Sequence, residues 1–373
     1  MEEIQIPTKI FSGIDSLDWL KSLKAKKILM VCDSFLPNTP TLDGIKNRID
    51  NSNEVNIFSD VKPDPPLDNI MEGVKQFNDV KPNVMIGIGG GSAIDTGKAI
   101  RFFGEKINHY DIDLFIAIPT TSGTGSEVTN TSVVSDTKNH TKMPIIKDHL
   151  TPDIALLDPK LVMTAPKSVT AFSGLDVLTH SLESLVARDA NTITDALAEK
   201  GIDIITHNLV DCYRHGDDAD KRKVVHEASC AAGIAFNNAG LGICHSIAHQ
   251  LGANFHIPHG LACAMTLPYV IDYNAKNCQT AMHKYGCAIK KAGLASQGLS
   301  DRIAVQRLIA KIKQMMVQMD CPQSLRSFGI DVNEALSKTQ VVVADARKDG
   351  TFPGNPIVPT DDDLADIYKK VIK

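Results

Sequence analysis

Five short apolar runs, separated by helical patterns, constrain the fold of this chain more than any other feature. "KKILMVCD" ends at Asp33, "NEVNIFSDV" follows a polar helical stretch, and "PNVMIGIGGG", "DLFIAIPTTSGTG" and "PDIALLDPKLV" come after it. Each is brief, rich in β-branched residues and closed by Gly, Pro or Asp, as expected of parallel strands covered on both faces. The predicted fold is α/β plus all-α. A Rossmann-like, doubly wound parallel sheet occupies residues 1–162, an architecture that binds nucleotides at the carboxyl ends of its strands. From about residue 165 the pattern is helix after helix, as in "ALAEKGIDIITHNLVDCY" and "KVVHEASCAAGIAFNNAG", so residues 163–373 are predicted to form a helical domain. The acidic triplet Asp361 to Asp363 reads as the first turn of the last helix, with Thr360 as its N-cap.

Composition narrows the function classes. At 373 residues and 43% hydrophobic content the chain can bury a large core. A formal charge of -5, with the basic residues scattered, argues against a nucleic-acid surface or a polybasic membrane anchor. No apolar run approaches the ~18 residues of a membrane span, and the acidic start "MEEIQIPTKIF" does not resemble a secretory signal, so a cytoplasmic protein is expected. Eight cysteines with no C-x-x-C pair fit reduced, mostly buried thiols. Cys244 beside His245 offers a soft ligand, but adjacent residues cannot easily turn both side chains to one ion.

"MIGIGGGSAIDTGKAI" runs an apolar strand through Gly89, Gly90 and Gly91 into a helix. Glycines let a backbone approach a pyrophosphate, and the free N–H groups of the new helix point at it. Ser92 and Asp95 have capping-box spacing, which predicts a helix beginning at Ser92. The match to G-x-G-x-x-G is imperfect, since Ser92 stands at the third glycine position. A second loop, "IPTTSGTGSEVT", leaves another strand with Thr120, Thr121, Ser122, Thr124 and Thr129. Two such loops point to a shared crevice for a ligand, whereas either alone fits a tight or hydroxyl-rich turn.

Polar side chains with metal-binding chemistry gather downstream. Asp176 and His180 are four apart on one helix face, and so are His245 and His249. His259 follows in "IPHG", where Pro and Gly indicate a loop. One carboxylate and several imidazoles suit Fe(II) or Zn(II) better than Mg(II) or Ca(II). Each pair alone fits a surface hydrogen bond or a core histidine; the ensemble below a nucleotide cradle does not.

These segments resemble one known group. "LLDPKLVMTAPKSVTAFSGLDVLTHSLE" and "GLGICHSIAHQLGANFHIPHGLAC", with "GGGSAID", "IPTTSGTGSEVT" and the closing "GNP", are similar to the signatures of iron-containing alcohol dehydrogenases over essentially the whole chain. The resemblance implies a metal bound by Asp176, His180, His245 and His259, with Fe(II) as the ion and Zn(II) as the alternative. It implies that His249 is a non-ligand histidine near the nicotinamide, with His256 incidental. It also implies NAD as cofactor, contacted by Asp33, Gly89 to Gly91, Ser92, Asp95, Thr120, Thr121, Thr124, Thr129, Thr131 and Lys142. "VCDSFL", "TPTLDGIKN" and "TDALAEK" are similar to the propanol dehydrogenases of propanediol utilisation and their ethanolamine-pathway relatives. In one departure, Ile357 stands after Pro356 where relatives often carry Arg.

The implied activity is hydride transfer between a short-chain primary alcohol or its aldehyde and NAD, in a homodimer or larger homo-oligomer. A bacterial microcompartment is an alternative address to the cytoplasm. Two other activities compete: a zinc-dependent glycerol dehydrogenase and, in another reaction class, a dehydroquinate synthase-like lyase. The lyase needs a basic pocket, whereas "AFNNAGLGIC" and "GLACAMTLP" around the ligands are apolar and small.

Overall fold

The computed structural model describes residues 3–63, 65–136 and 141–373. The chain divides into two compact units, Gln5–Ala165 and a second made of Met1–Ile4 with Pro166–Lys373.

The first unit contains β1 (Lys9–Ser12), β2 (Lys27–Asp33), α1 (Pro40–Lys46), β3 (Glu54–Val61), α2 (Leu67–Val80), β4 (Val84–Gly89), α3 (Gly91–Asn108), β5 (Leu114–Pro119), β6 (Thr131–Asp136), β7 (Thr141–Ile146) and β8 (Ile154–Leu157). Six strands form one sheet in the order β1-β8-β5-β4-β2-β3, and every pairing in it is parallel. The alternation along β2 explains how the sheet is covered on both sides. Ile28, Met30 and Cys32 join Leu20, Leu42 and Ile45 in one core, whereas Leu29 and Val31 join Val74, Phe77 and Ile100 in another. A sheet with both faces buried needs such continuous apolar strands. After β3 the chain returns to pair β4 with the other edge of β2, so the winding direction reverses between β2 and β4. Ligands of open α/β sheets bind outside the strand ends at such a reversal. Asp33 ends β2 and Gly89 ends β4.

β1 and the antiparallel β6–β7 ribbon were not anticipated. All four residues of β1 are exposed, so it has no hydrophobic pattern of its own and is defined by pairing with β8. The β6–β7 segments are short, rich in Ser and Thr, and carry Pro144, which reads as loop.

The second unit is helical: α4 (Lys167–Val186), α5 (Thr192–Arg214), α6 (Ala219–Ala239), α7 (Ile243–Phe255), α8 (His259–Asn277), α9 (Gln279–Lys291), α10 (Asp301–Gln318), α11 (Leu325–Phe328), α12 (Val332–Ser337), α13 (Thr339–Lys348) and α14 (Asp361–Ile372). Its core runs through Leu175, Leu178, Leu182, Ile202, Leu209, Ile247, Leu251 and Leu267. Thr360 caps α14 in a capping box closed by Asp363, so the acidic triplet is a helix start as expected. No helix among the described residues is long and apolar enough to cross a membrane.

Candidate active site

The helical unit brings four of the predicted residues together. Asp176 and His180 lie one turn apart on α4, His245 on α7, and His259 on the first turn of α8. Three imidazole Nε2 atoms converge on Asp176 Oδ1: His180 at 3.9 Å, His245 at 3.7 Å and His259 at 3.6 Å. His259 is thus a helical residue, not the loop residue that "IPHG" suggested, because Pro258 serves as the N-cap and the chain turns directly into α8. Gly260 permits the approach: a Cβ there would stand 2.1 Å from the Phe172 carbonyl oxygen of α4.

The donor atoms are arranged for a cation. Glu183 Oε2 accepts a hydrogen bond from His245 Nδ1 at 2.5 Å, and Glu183 Oε1 accepts one from the Cys244 N–H at 2.7 Å. A proton on Nδ1 leaves His245 Nε2 as a lone pair, the usual orientation of a metal-ligating histidine held by a carboxylate. Asp176 Oδ1 and His245 Nε2 are buried and make no hydrogen bond. Two buried acceptors facing one another are costly without a positive charge between them, so the residues fit a divalent ion. Burial would raise the Asp176 carboxyl, but His180, His259 and His245 hold it well below the ordinary carboxylate range. Burial likewise opposes charge on His245, yet Cys263 and the carboxylates of Asp176 and Glu183 hold it well above its ordinary value. A metal ion competes with exactly such protons for the lone pairs.

Three residues at this site escaped the sequence reading. Glu183 follows Asp176 at i+7 and His180 at i+3, and that helical spacing was a usable signal. Cys263 lies one turn after His259, and burial pushes its thiol up to about 12. Asp349 accepts a hydrogen bond from His249 Nδ1 at 2.7 Å. The other Asp349 oxygen accepts from the N–H and hydroxyl of Thr351 at 2.9 and 2.7 Å. His249 is half-buried, its ring stacked on His259 at 5.3 Å between centroids. His256 is the exposed, left-handed C-cap of α7, apart from these contacts. Cys244 points away from a ligand role, donating its S–H to the Cys263 carbonyl at 3.4 Å.

In the α/β unit, Asp33, Ser34, Phe35, Gly90, Gly91, Ser92 and Thr121 line a pocket with Val61 and Pro63. Gly89 has φ +146°, where side chains are strained, and a Cβ on it would stand 2.3 Å from Asp33 Oδ2. The Gly90 N–H donates to that oxygen at 3.2 Å. Burial raises the Asp33 carboxyl, and this hydrogen bond partly counters it.

The helix α3 begins at Gly91 with Gly90 as N-cap and no side-chain cap, which corrects the expected capping box. Asp95 is engaged elsewhere, accepting from Ser126 Oγ at 2.5 Å and the Val133 N–H at 3.0 Å. A helix start without a side-chain cap keeps its N–H groups for an anion.

The remaining cofactor candidates divide. Thr121 lies against Gly90, Thr124 against Gly91, and the Thr120 N–H donates to the Gly89 carbonyl at 2.9 Å. Thr129 and Thr131 instead hold Lys98, whose buried ammonium donates to the Thr129 carbonyl at 2.7 Å and the Thr131 carbonyl at 2.9 Å. Burial lowers Lys98 to about 8 and raises neighbouring Glu127 to about 7. The side chain of Lys142 lies outside the described residues.

Comparison with known proteins follows the same division. Residues 7–159 match the iron-containing alcohol dehydrogenase family, and residues 170–372 match the C-terminal part of the Fe-containing alcohol dehydrogenase family. The 1-propanol dehydrogenase PduQ of Citrobacter freundii is 39% identical over 372 residues, covering 100% of both chains. The NADPH-dependent butanol dehydrogenase of Clostridium saccharobutylicum is 35% identical, covering 100% of this chain and 98% of its own. The crystal structure of a 1,3-propanediol oxidoreductase superposes with a TM-score of 0.92 at 30% identity, covering 100% of both chains.

Proposed function

The chain belongs to the iron-containing alcohol dehydrogenase family, and from that premise we propose that it is an NAD- and Fe(II)-dependent enzyme interconverting a short-chain primary alcohol, such as 1-propanol, and its aldehyde. The observation that carries the metal part is the convergence of three imidazoles on Asp176 Oδ1. The substrate rests on full-length likeness to a 1-propanol dehydrogenase and on the small, apolar residues flanking the ligands. A homodimer or larger assembly, in the cytoplasm or a bacterial microcompartment, is part of the same proposal.

A bound Fe(II) ion would supply Lewis acidity toward the substrate oxygen, and a bound NAD would supply the hydride acceptor. Asp176, His180, His245 and His259 hold the ion, and Glu183 fixes the tautomer and aim of His245. His249 takes the alcohol proton toward solvent: Asp349 holds Nδ1–H, which leaves Nε2 as the base. Gly90, Gly91 and the start of α3 bind the cofactor pyrophosphate, and Asp33 accepts hydrogen bonds from the adenosine ribose.

The test is NADH formation from 1-propanol or ethanol after anaerobic loading with Fe(II). Turnover that is lost on chelation and restored by Fe(II) is expected. Glycerol as the sole substrate, with activity on zinc alone, would replace this reading with the polyol dehydrogenase.

A further inference from the structure

Cys263 is fully buried on α8, one turn beyond His259, with Sγ 3.8 Å from His259 Nε2. Asp176, His245, His259 and Cys263 each present a donor atom within 4.8 Å of the other three, and among the described residues no other cluster of this kind forms. His180 is not one of these four, although its Nε2 lies 3.9 Å from Asp176 Oδ1.

The spacing suits a four-coordinate ion. Bonds of ~2.0 Å to nitrogen or oxygen and ~2.3 Å to sulfur, at the tetrahedral angle, separate donors by about 3.3–3.6 Å. Three of the six donor separations are 3.6, 3.7 and 3.8 Å, and all six lie within 4.8 Å. A cysteine that merely fills core volume need not face polar atoms, yet Cys263 shares its corner with Asp176 Oδ1 and His245 Nε2, both buried and without hydrogen bonds.

We infer that Cys263 is a direct ligand of the ion held by Asp176, His245 and His259, replacing His180 when the ion is thiophilic, as Zn(II) or Co(II) is. The inference rests on the metal site of the proposed function. As the sulfur–metal bond forms, the thiol proton leaves to solvent, so no oxidant or reductant is involved. A thiolate among imidazoles and a carboxylate shifts preference toward zinc and away from iron, giving this site a competing ion that its other ligands alone would discriminate less.

Anaerobic titration of the metal-free full-length chain with Co(II) reads the ligand set directly. The expected result is thiolate-to-cobalt charge-transfer absorption in the near ultraviolet, together with visible ligand-field bands. Cys263→Ser should keep the ligand-field bands, lose the near-ultraviolet feature and weaken Zn(II) binding by roughly 10-fold or more, since even outer partners of metal ligands cost 10- to 100-fold. Its Fe(II) affinity should change clearly less. Cys263→Ala must repeat the spectral loss, far-ultraviolet circular dichroism must match the native chain, and Cys244→Ser must retain the feature. Ligand-field bands without charge transfer in the native chain, or a near-ultraviolet feature that survives both Cys263 variants, would reduce Cys263 to packing and leave the dehydrogenase reading standing. Failure of the native chain to take up Co(II) would overturn both.

Discussion

At the residue scale, Asp33 is the side chain predicted to select between cofactors. It ends β2 at the pocket and accepts a hydrogen bond from the Gly90 N–H, and only a glycine at 89 leaves its carboxylate this space, since a Cβ there would stand 2.3 Å from Asp33 Oδ2. A carboxylate there accepts hydrogen bonds from the ribose hydroxyls of NAD, whereas a 2′-phosphate brings a second negative charge against it. The native protein is therefore predicted to prefer NAD, although one relative is NADPH-dependent. Asp33→Gly should improve NADP use and weaken NAD with metal content unchanged; an unaltered ratio of the two kcat/KM values would make Asp33 a turn residue. His249 is predicted to act as the base. His249→Ala should retain its metal and lose turnover by roughly 10²- to 10⁴-fold, the usual contribution of a positioned base, whereas unchanged rates across pH would leave it structural. Its partner Asp349 is held down to about 2: burial opposes this, but His249 and Thr351 outweigh it. A depressed carboxyl contributes stability that is complete above its ordinary value near 3.8 and is lost as pH falls through about 2. Acid unfolding of Asp349→Asn should accordingly show a flatter loss between roughly pH 4 and 2 than the native chain. Asp33, the glycines and the four-apart pairs Asp176/His180 and His245/His249 were legible because local spacing carries them. Asp349 was not, since 100 residues separate it from His249 and only tertiary packing joins them.

At the element scale, the close packing of α4 and α8 sets the spacing of Asp176 and His259. Gly260 packs so closely on Phe172 that any Cβ must push the start of α8 away, and His259 would move with it. Gly260→Ala is predicted to cost about 1–3 kcal/mol, as overpacking does, and to lose the metal. Gly298→Ala, where a Cβ meets nothing within 4 Å, is the control and should do neither. Metal analysis and thermal unfolding of both variants decide it: full metal content in Gly260→Ala would mean that α8 is not held by this contact. The strands β2, β4, β5 and β8 were legible because burial on both faces makes a strand's own sequence apolar throughout, whereas the edge strand β3 showed only through Val55, Ile57, Phe58 and Val61 among polar residues. The start of α3 was misjudged because Ser92 and Asp95 have capping spacing, while tertiary contacts to Ser126 and Val133 claim Asp95 instead. β1 offered no signal, since what makes it a strand belongs to β8.

At the scale of the whole molecule, a bound metal is predicted to be part of the fold of the helical unit. Asp176, His180, Glu183 and His245 are all buried within the same packed helices as Leu175, Leu178 and Leu182. Buried charges and lone pairs are expensive unless paired, so that core carries a penalty which a bound cation offsets. An ion binding only the folded state, present at about 100 times its Kd, adds about 2.7 kcal/mol to the unfolding free energy. For a domain of roughly 200 residues each kcal/mol moves the midpoint by about 2–4 °C, so loading should raise it by roughly 5–10 °C. The measurement is thermal unfolding of the native chain with Fe(II) or Zn(II) and with chelator, read by the helical circular dichroism signal. His245→Ala should lie near the chelated midpoint and ignore both additions, because it lacks the lone pair that Glu183 aims. Equal midpoints in the native chain, with metal uptake verified independently, would mean that the donor cluster is stable without its ion and that the metal serves chemistry alone.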